Sequence, residues 1–356
     1  MNNNYLTHGI HPYHAKYIPK IPHDYILKYS SIGELIFDPF CGSGTTLLEA
    51  MLTERKSIGT DLSLIAYKIS KAKTSFIDVE ELDSLYNDIL DKLDKKIDFQ
   101  PILFENKNIW FNDDSLEILD KLFYLISKIN DDKYKNIFEV IFSSILKTVS
   151  NKRKTWNNGY IADNVLPDIQ YSGNVLMVFK RKVKKIIKDF KELNVKLEKK
   201  IIYEPNVYCT NILDFTYDKM VDLVITSPPY PFAVDFIKYN RLSCYWFNVD
   251  INLFANQETG SRHKRNRKNA IEEFFLEMEE IYKHIFQMVK TGGHFCMTVS
   301  DTQRNNKKIF FVDWLIKLFE DNGWALVENN IREIENQSMP QKRIPQEHML
   351  VFKKVK

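Results

Sequence analysis

Two short segments of this chain carry residues able to do chemistry on a nucleotide base. Phe37-Asp38-Pro39-Phe40-Cys41-Gly42-Ser43-Gly44-Thr45-Thr46 joins an apolar strand to a helix, and Ser227-Pro228-Pro229-Tyr230 ends another apolar strand. Glycines at the first turn let the backbone approach a ligand closely. The second segment offers acceptors and a ring. The Ser227 hydroxyl and the Pro228 carbonyl can take the protons of an exocyclic amine, and Tyr230 can stack on the base that bears it. Such an amine is a poor nucleophile because its lone pair is delocalised into the ring. Acceptors on its protons favour the pyramidal form, whose lone pair can attack an electrophilic methyl group. Pro228 and Pro229 stiffen the loop. Stacking contributes on the order of 1–3 kcal/mol, comparable with the few kcal/mol needed to extrude a base from duplex. The expected chemistry is methyl transfer to a base amine.

The first turn alone is a weak signal for the kind of methyl donor. A dinucleotide fingerprint needs a third glycine, and Leu47 stands there instead. The Gly42-x-Gly44 pair and the following helix terminus can still meet a carboxylate in place of a pyrophosphate. That suits S-adenosylmethionine, whose zwitterionic tail carries no phosphate. Asp61 ends the next strand, 17 residues after Gly44, where a carboxylate accepts hydrogen bonds from ribose hydroxyls.

The elements that must position these residues are legible in the hydrophobic pattern. Strands are predicted over Leu35–Asp38, Ser57–Thr60, Asn206–Thr210, Val221–Thr226, His294–Val299, Ala325–Ile331 and Glu347–Lys353. Helices are predicted over Thr45–Leu52, Asp235–Phe247, Ile271–Val289 and Phe310–Asn322, with Thr291-Gly292-Gly293 stopping the third as a glycine cap. Residues 78–148 and 174–199 show helical periodicity without strands. The fold expected is α/β, a doubly wound Rossmann-like seven-stranded sheet with an inserted helical subdomain. Residues 1–76 and 201–356 form the expected catalytic domain, and 77–200 the insertion, the expected seat of target recognition.

Composition excludes several classes. With 44% hydrophobic and 27% charged residues the chain reads as an ordinary globular protein. No apolar run approaches the roughly 20 residues that span a bilayer, and Met-Asn-Asn-Asn-Tyr is not a signal peptide, so no membrane association and a cytoplasmic location are expected. Four widely spaced cysteines without a C-x-x-C pair indicate neither a disulfide framework nor a zinc site. His11, His14 and His23 lack an acidic or cysteine partner at ligand spacing, so no metal is expected and they read as loop hydrogen-bonders.

A net charge of +3 is too small to identify a polyanionic partner, but its distribution is uneven. Residues 181–200 hold nine Lys/Arg against three acids beside an apolar stripe, as a solvated helix face also would. Residues 262–268 hold five cations and no acid, which makes Arg262, Lys264, Arg265, Arg267 and Lys268 the better phosphate contacts. Lys152, Arg153 and Trp156 combine cations and an aromatic in a loop, able to read base edges or intercalate. Phe232 is close enough to Tyr230 to line a base pocket.

DPFCGSGTT, GTDLS and TSPPY resemble motifs I, II and IV of the DNA amino-methyltransferases, which modify N4 of cytosine or N6 of adenine. The similarity covers roughly residues 8–75 and 200–355. It implies S-adenosylmethionine as cofactor and double-stranded DNA with a flipped-out base as substrate. It assigns Asp38, Phe40, Cys41, Gly42, Ser43, Gly44, Thr45, Thr46, Asp61 and Leu62 to the cofactor, with Lys16 and Pro19 of the His11–Pro19 segment at its methionine end. The stretch matching motif III departs from the family, which commonly carries an acidic residue by the adenine: here Asn211 offers its side-chain carbonyl to the adenine amine, with Ile212 next to it and Asp214 the alternative if the register slips. Ser227, Pro228, Pro229 and Tyr230 become the catalytic loop, and a serine at its head is the more usual N4-cytosine form.

The resemblance therefore implies a cytosine-N4 methyltransferase, either the protective half of a restriction–modification system with a separate cognate endonuclease as partner or a phage enzyme. Adenine-N6 methylation is the runner-up. A non-catalytic nucleic-acid-binding module is the alternative from another class, against which the intact Gly42, Gly44, Asp61, Ser227 and Tyr230 speak. A cytosine-C5 enzyme needs a nucleophilic cysteine after proline in the target loop, and Pro229 follows Pro228.

Overall fold

Alternating apolar runs and helical stripes become a helix–strand chain in the computed structural model, which describes residues 3–14, 16, 18–153, 166–232, 236–261, 264, 267–304, 307–333 and 346–356. In order these are α1 (Lys20–Tyr29), β1 (Leu35–Asp38), α2 (Thr45–Leu52), β2 (Lys56–Asp61) and α3 (Leu64–Lys73). Then come α4 (Val79–Leu93), α5 (Lys107–Trp110), α6 (Asp113–Ser127), α7 (Asp132–Val149) and α8 (Val175–Leu197). The sheet resumes with β3 (Asn206–Cys209) and β4 (Val221–Thr226), followed by α9 (Phe236–Trp246), α10 (Ile251–Gln257) and α11 (Ala270–Met288). The chain ends with β5 (Val289–Val299), β6 (Thr302–Arg304), β7 (Lys307–Ile309), α12 (Phe311–Asp321), β8 (Trp324–Glu333) and β9 (Gln346–Lys354).

Seven strands form one sheet in the order β3-β2-β1-β4-β5-β9-β8. The first five are parallel and β9 runs antiparallel between β5 and β8. Chain order reverses between β1 and β4, so the carboxyl ends of these two neighbours flank a topological switch point, where open α/β sheets bind ligands. Alternate residues explain why both faces are covered. Phe37, Val224, Phe295 and Phe352 enter one core with Tyr282 of α11 and Phe319 of α12, whereas Ile36, Leu223, Cys296 and Val351 enter another with Ile26 of α1 and Ala50 of α2.

The chain divides into two compact units, a sheet unit (Ala15–Tyr67, Ile201–Asp235, Asn252–Lys356) and a helical unit (Met1–His14, Lys68–Lys200, Phe236–Ile251). Side-chain caps start the helices of the second: Asp78, Asn112, Asp131 and Asn174 accept from the first-turn N–H groups of α4, α6, α7 and α8. Its core gathers Phe111, Phe142 and Trp246, with Trp246 and Phe142 edge to face at 5.0 Å. Lys107 lies over Trp246 and pairs with Asp120 at 2.5 Å.

Two expectations need correction. Thr291-Gly292-Gly293 does not cap α11. The helix ends at Met288, Val289 is already extended (φ −97°, ψ 132°), and all three residues lie inside β5. The cap comes from far along the chain, because Lys354 Nζ donates to the Phe286 and Val289 carbonyls at 2.8 Å each. Gly293 has a different reason to be glycine: a Cβ there would stand 2.9 Å from the Asp222 carbonyl oxygen. His23 is not in a loop but on α1, where Nδ1 pairs with the buried Glu49 of α2 at 2.8 Å.

Candidate active site

The glycine turn after β1 is held mainly by backbone. Gly42 (φ 49°) and Gly44 (φ 74°) adopt left-handed conformations that glycine takes without a Cβ penalty. Gly44 N donates to the Cys41 carbonyl at 2.7 Å, and Cys41 N to the Thr60 carbonyl at 2.9 Å. Thr60 Oγ1 returns a bond to the Pro39 carbonyl at 2.8 Å. Gly44 stands at the N-cap of α2 and makes no side-chain cap, so the glycine turn leads directly into the amino terminus of the helix. Gly59 on β2 backs this turn closely, since a Cβ there would meet Leu47 at 2.6 Å and Cys41 at 3.0 Å.

Asp61 ties the turn to β2. Its Oδ2 accepts from Gly42 N at 2.9 Å and its Oδ1 from Ser63 N at 2.8 Å. Each oxygen keeps a lone pair for a further donor such as a ribose hydroxyl. Burial pushes the Asp61 carboxyl up to about 6, against the two backbone donors that favour its charge.

Asp38 joins this turn to the second motif. Asp38 is 1% exposed, and its carboxylate accepts from Thr226 Oγ1 at 2.6 Å and from Phe40 N at 3.2 Å, with a further side-chain hydrogen bond to Thr46. Burial again raises the carboxyl to about 6. Thr226 is the last residue of β4, so the residue before Ser227 is fixed to the residue that opens the glycine turn. Sequence reading passed over Thr226, although a buried hydroxyl ending an apolar strand was its available signal.

The loop after β4 is anchored at its far end. Tyr230 Oη donates to the Thr298 carbonyl of β5 at 3.1 Å and hydrogen-bonds the Ser227 side chain. Burial, then the charge of Glu347, pushes the phenol well above its usual range. Ser227, Pro229, Tyr230 and Phe232 are half-buried and Pro228 is buried. Phe232 holds a positive φ of 59°, donates its N–H to the Gly260 carbonyl at 2.9 Å and packs 6.3 Å from Phe274. Gly260 (φ 67°) permits this approach, because a Cβ would sit 3.1 Å from the Tyr230 carbonyl oxygen.

The remaining predicted residues divide. Cys41 packs with Leu47 and Val207, and Phe40 lies against the main sheet core. Ser43 and Thr45 are buried. The Leu62 carbonyl accepts the Cys209 thiol at 3.7 Å. Asn211 Oδ1 accepts from Leu213 N at 3.0 Å, and Ile212 is in the core. Lys16 is half-buried and Pro19 stands at the N-cap of α1. Exposed Lys152 bridges Ile169 through its backbone, and Arg153 follows it half-buried. Lys264 and Arg267 are engaged by Glu277 (3.7 Å) and Glu273 (3.4 Å), and Lys268 lines an open groove beside Phe275 and Trp314. Trp156, Arg262 and Arg265 lie outside the described residues.

A glycine turn running into a helix amino terminus suits an amino-acid carboxylate, and Asp61 suits a ribose. Beside them stands a proline-stiffened loop with acceptors and a ring. Fold and site together describe a methyltransferase sheet carrying a target loop at its switch point. A family model of DNA methylases, the N6/N4 methyltransferases, matches residues 2–72 and 221–356, more than half of the chain. The chain belongs to that family and is a DNA methyltransferase that uses S-adenosylmethionine. It is 24% identical over 407 residues to the Type II methyltransferase M.MvaI of Kocuria varians, covering 97% of this chain and 87% of that protein. It is 29% identical over 171 residues to the Type II methyltransferase M.MjaII of Methanocaldococcus jannaschii, covering 46% of this chain and 31% of that one. Among solved structures, a SAM-dependent methyltransferase from Methanosarcina mazei aligns with a TM-score of 0.40 at 9% identity, covering 93% of this chain and 97% of that chain.

Proposed function

We propose that the chain is a Type II, site-specific methyltransferase that moves the methyl group of S-adenosylmethionine to N4 of a flipped-out cytosine in double-stranded DNA, as the protective half of a restriction–modification system with a separate endonuclease. The single observation that carries this reading is the joined pair of loops, with Ser227 directly following the Thr226 that bonds Asp38 at 2.6 Å. The Ser227 hydroxyl and Pro228 carbonyl accept hydrogen bonds from the amine N–H groups and so localise its lone pair, while Tyr230 stacks on the base; as the N–C bond forms the sulfonium S–CH3 bond breaks, and the methylated amine sheds its extra proton to solvent. Asp61 holds the ribose and the glycine turn holds the amino-acid tail, so positioning supplies much of the rate. The cofactor brings the activated methyl group when bound. The preference for cytosine rests on the serine that opens the loop. Residues 77–200 contribute target recognition, and Lys264, Arg267 and Lys268 contact the DNA backbone.

Nucleoside mass spectrometry on DNA incubated with purified protein and methyl-labelled S-adenosylmethionine tests the reading. N4-methylcytosine is the expected product. N6-methyladenine would move the target to adenine, and unmodified DNA across varied sequences would overturn the proposal.

A further inference from the structure

Three elements of the helical unit present polar residues one turn apart, and they meet as two rungs. The segment before α1 supplies His11 and His14, α7 supplies Ser143 and Lys147, and α9 supplies Tyr239 and Ser243. The first rung is closed on itself: His11 Nε2 meets Ser143 Oγ at 2.9 Å, and Ser143 Oγ meets Ser243 Oγ at 2.7 Å, with all three buried. The second rung is not. The His14 ring lies 3.5 Å from that of Tyr239, and the Lys147 ammonium lies 5.2 Å from the same ring. Among the described residues, Lys147 Nζ has neither a carboxylate nor a carbonyl acceptor.

An ammonium partly withdrawn from water without an anion is destabilised, and an aromatic face offsets only part of that. Burial lowers Lys147 to about 8, while burial first and the Lys147 charge second lower His14 to about 4. At neutral pH the rung therefore holds a cation beside a neutral imidazole with an N–H to donate. Lys147 is only half-buried, so an incoming anion can reach it.

We infer that Lys147, with His14 beside it on the Tyr239 ring, is an oxyanion site that takes one backbone phosphate of the substrate DNA. The inference rests on the DNA-methylase assignment for the source of the phosphate. A carboxylate, such as that of the cofactor tail, shares the chemistry and is separated by the test.

The experiment measures DNA affinity against salt by fluorescence anisotropy, and S-adenosylmethionine affinity by calorimetry, for wild type, Lys147→Met and Lys147→Arg. Removing one phosphate contact should weaken DNA binding about tenfold and lower the salt slope by about 0.9. Lys147→Arg should restore most of both, and cofactor affinity should not change. Unchanged slope and affinity in folded Lys147→Met would overturn the site, and so would weaker cofactor binding at an unchanged DNA slope. If the Met variant does not fold, Lys147→Gln serves the same comparison. Wild type that neither binds nor methylates DNA would instead remove the DNA assignment, and this inference with it.

Discussion

The turn after β1 and the loop after β4 lie at the carboxyl ends of neighbouring strands, yet they are built differently. The first is over-determined. Gly42, Cys41 and Gly44 each donate a backbone hydrogen bond within 2.9 Å, and Asp61, Thr60 and Asp38 hold the turn from three sides. The second has distant anchors, the Thr298 carbonyl for Tyr230 and the Gly260 carbonyl for Phe232. Under the proposed function, a cofactor that is the same at every turnover would be met by a preformed backbone cradle, and a base that must enter and leave by a short stiff loop beyond the end of the β4 ladder.

If that contrast holds, damage to the loop should appear in turnover and damage to the turn in cofactor affinity. Tyr230→Ala removes the stacking ring and should lower kcat on the order of 10- to 100-fold while leaving the cofactor Kd near wild type, read by steady-state kinetics and calorimetry. Equal losses in both would erase the contrast. Asp61→Asn turns an amide NH2 toward the Gly42 or Ser63 N–H and should weaken S-adenosylmethionine roughly tenfold, with kcat at saturation little changed.

The same carboxylate gives the contrast a pH signature. Its folded pKa of about 6 is raised above the ordinary value of 3.8, so its contribution to stability is greatest below pH 3.8 and is lost as pH rises through about 6. If Asp61 holds the ribose as proposed, ligand binding runs the other way, because the ionised carboxylate is the stronger acceptor for ribose hydroxyls. Cofactor affinity should fall about tenfold per pH unit below 6 in wild type, and Asp61→Asn should flatten that profile.

How much of this was legible in the sequence depends on the range of the forces involved. The bounds of β1, α2 and β4 match the expected ones because short continuous apolar runs and a glycine turn are local signals. The end of α11 was misread because its cap, Lys354, lies 68 residues from Phe286 and no local pattern encodes it. The hairpin of β6 and β7 was missed because three-residue strands carry no period. The sequence position of Asp61 leads to the expectation of a ribose acceptor, while its hold on the turn through Gly42 N is visible only in space. Lys147 interrupts the apolar face of α7, but only the arrival of Tyr239 and His14 gives it meaning.

Two smaller effects sharpen the comparison. Thr226→Val keeps the shape of the strand end but removes the 2.6 Å bond to Asp38. It should destabilise the fold by about 1–3 kcal/mol in urea unfolding and slow turnover several-fold, since the loop and the turn then lose their common strut. Away from the site, the Glu49 hydrogen bond raises the pKa of His23, so that pair stabilises fully below the unfolded value of 6.5 and less as pH rises through the folded one. The melting-temperature gap between wild type and His23→Gln should be wider at pH 6 than at pH 8.5, without any change in kcat at saturating cofactor.

The central claim is that Ser227 acts as an acceptor on the target amine. Single-turnover methyl transfer, with labelled S-adenosylmethionine preloaded and one DNA duplex in excess, tests it most directly in wild type and Ser227→Ala. The account predicts equal cofactor and DNA binding with transfer slowed on the order of 10²- to 10³-fold in the variant. Transfer at the wild-type rate by Ser227→Ala would contradict it.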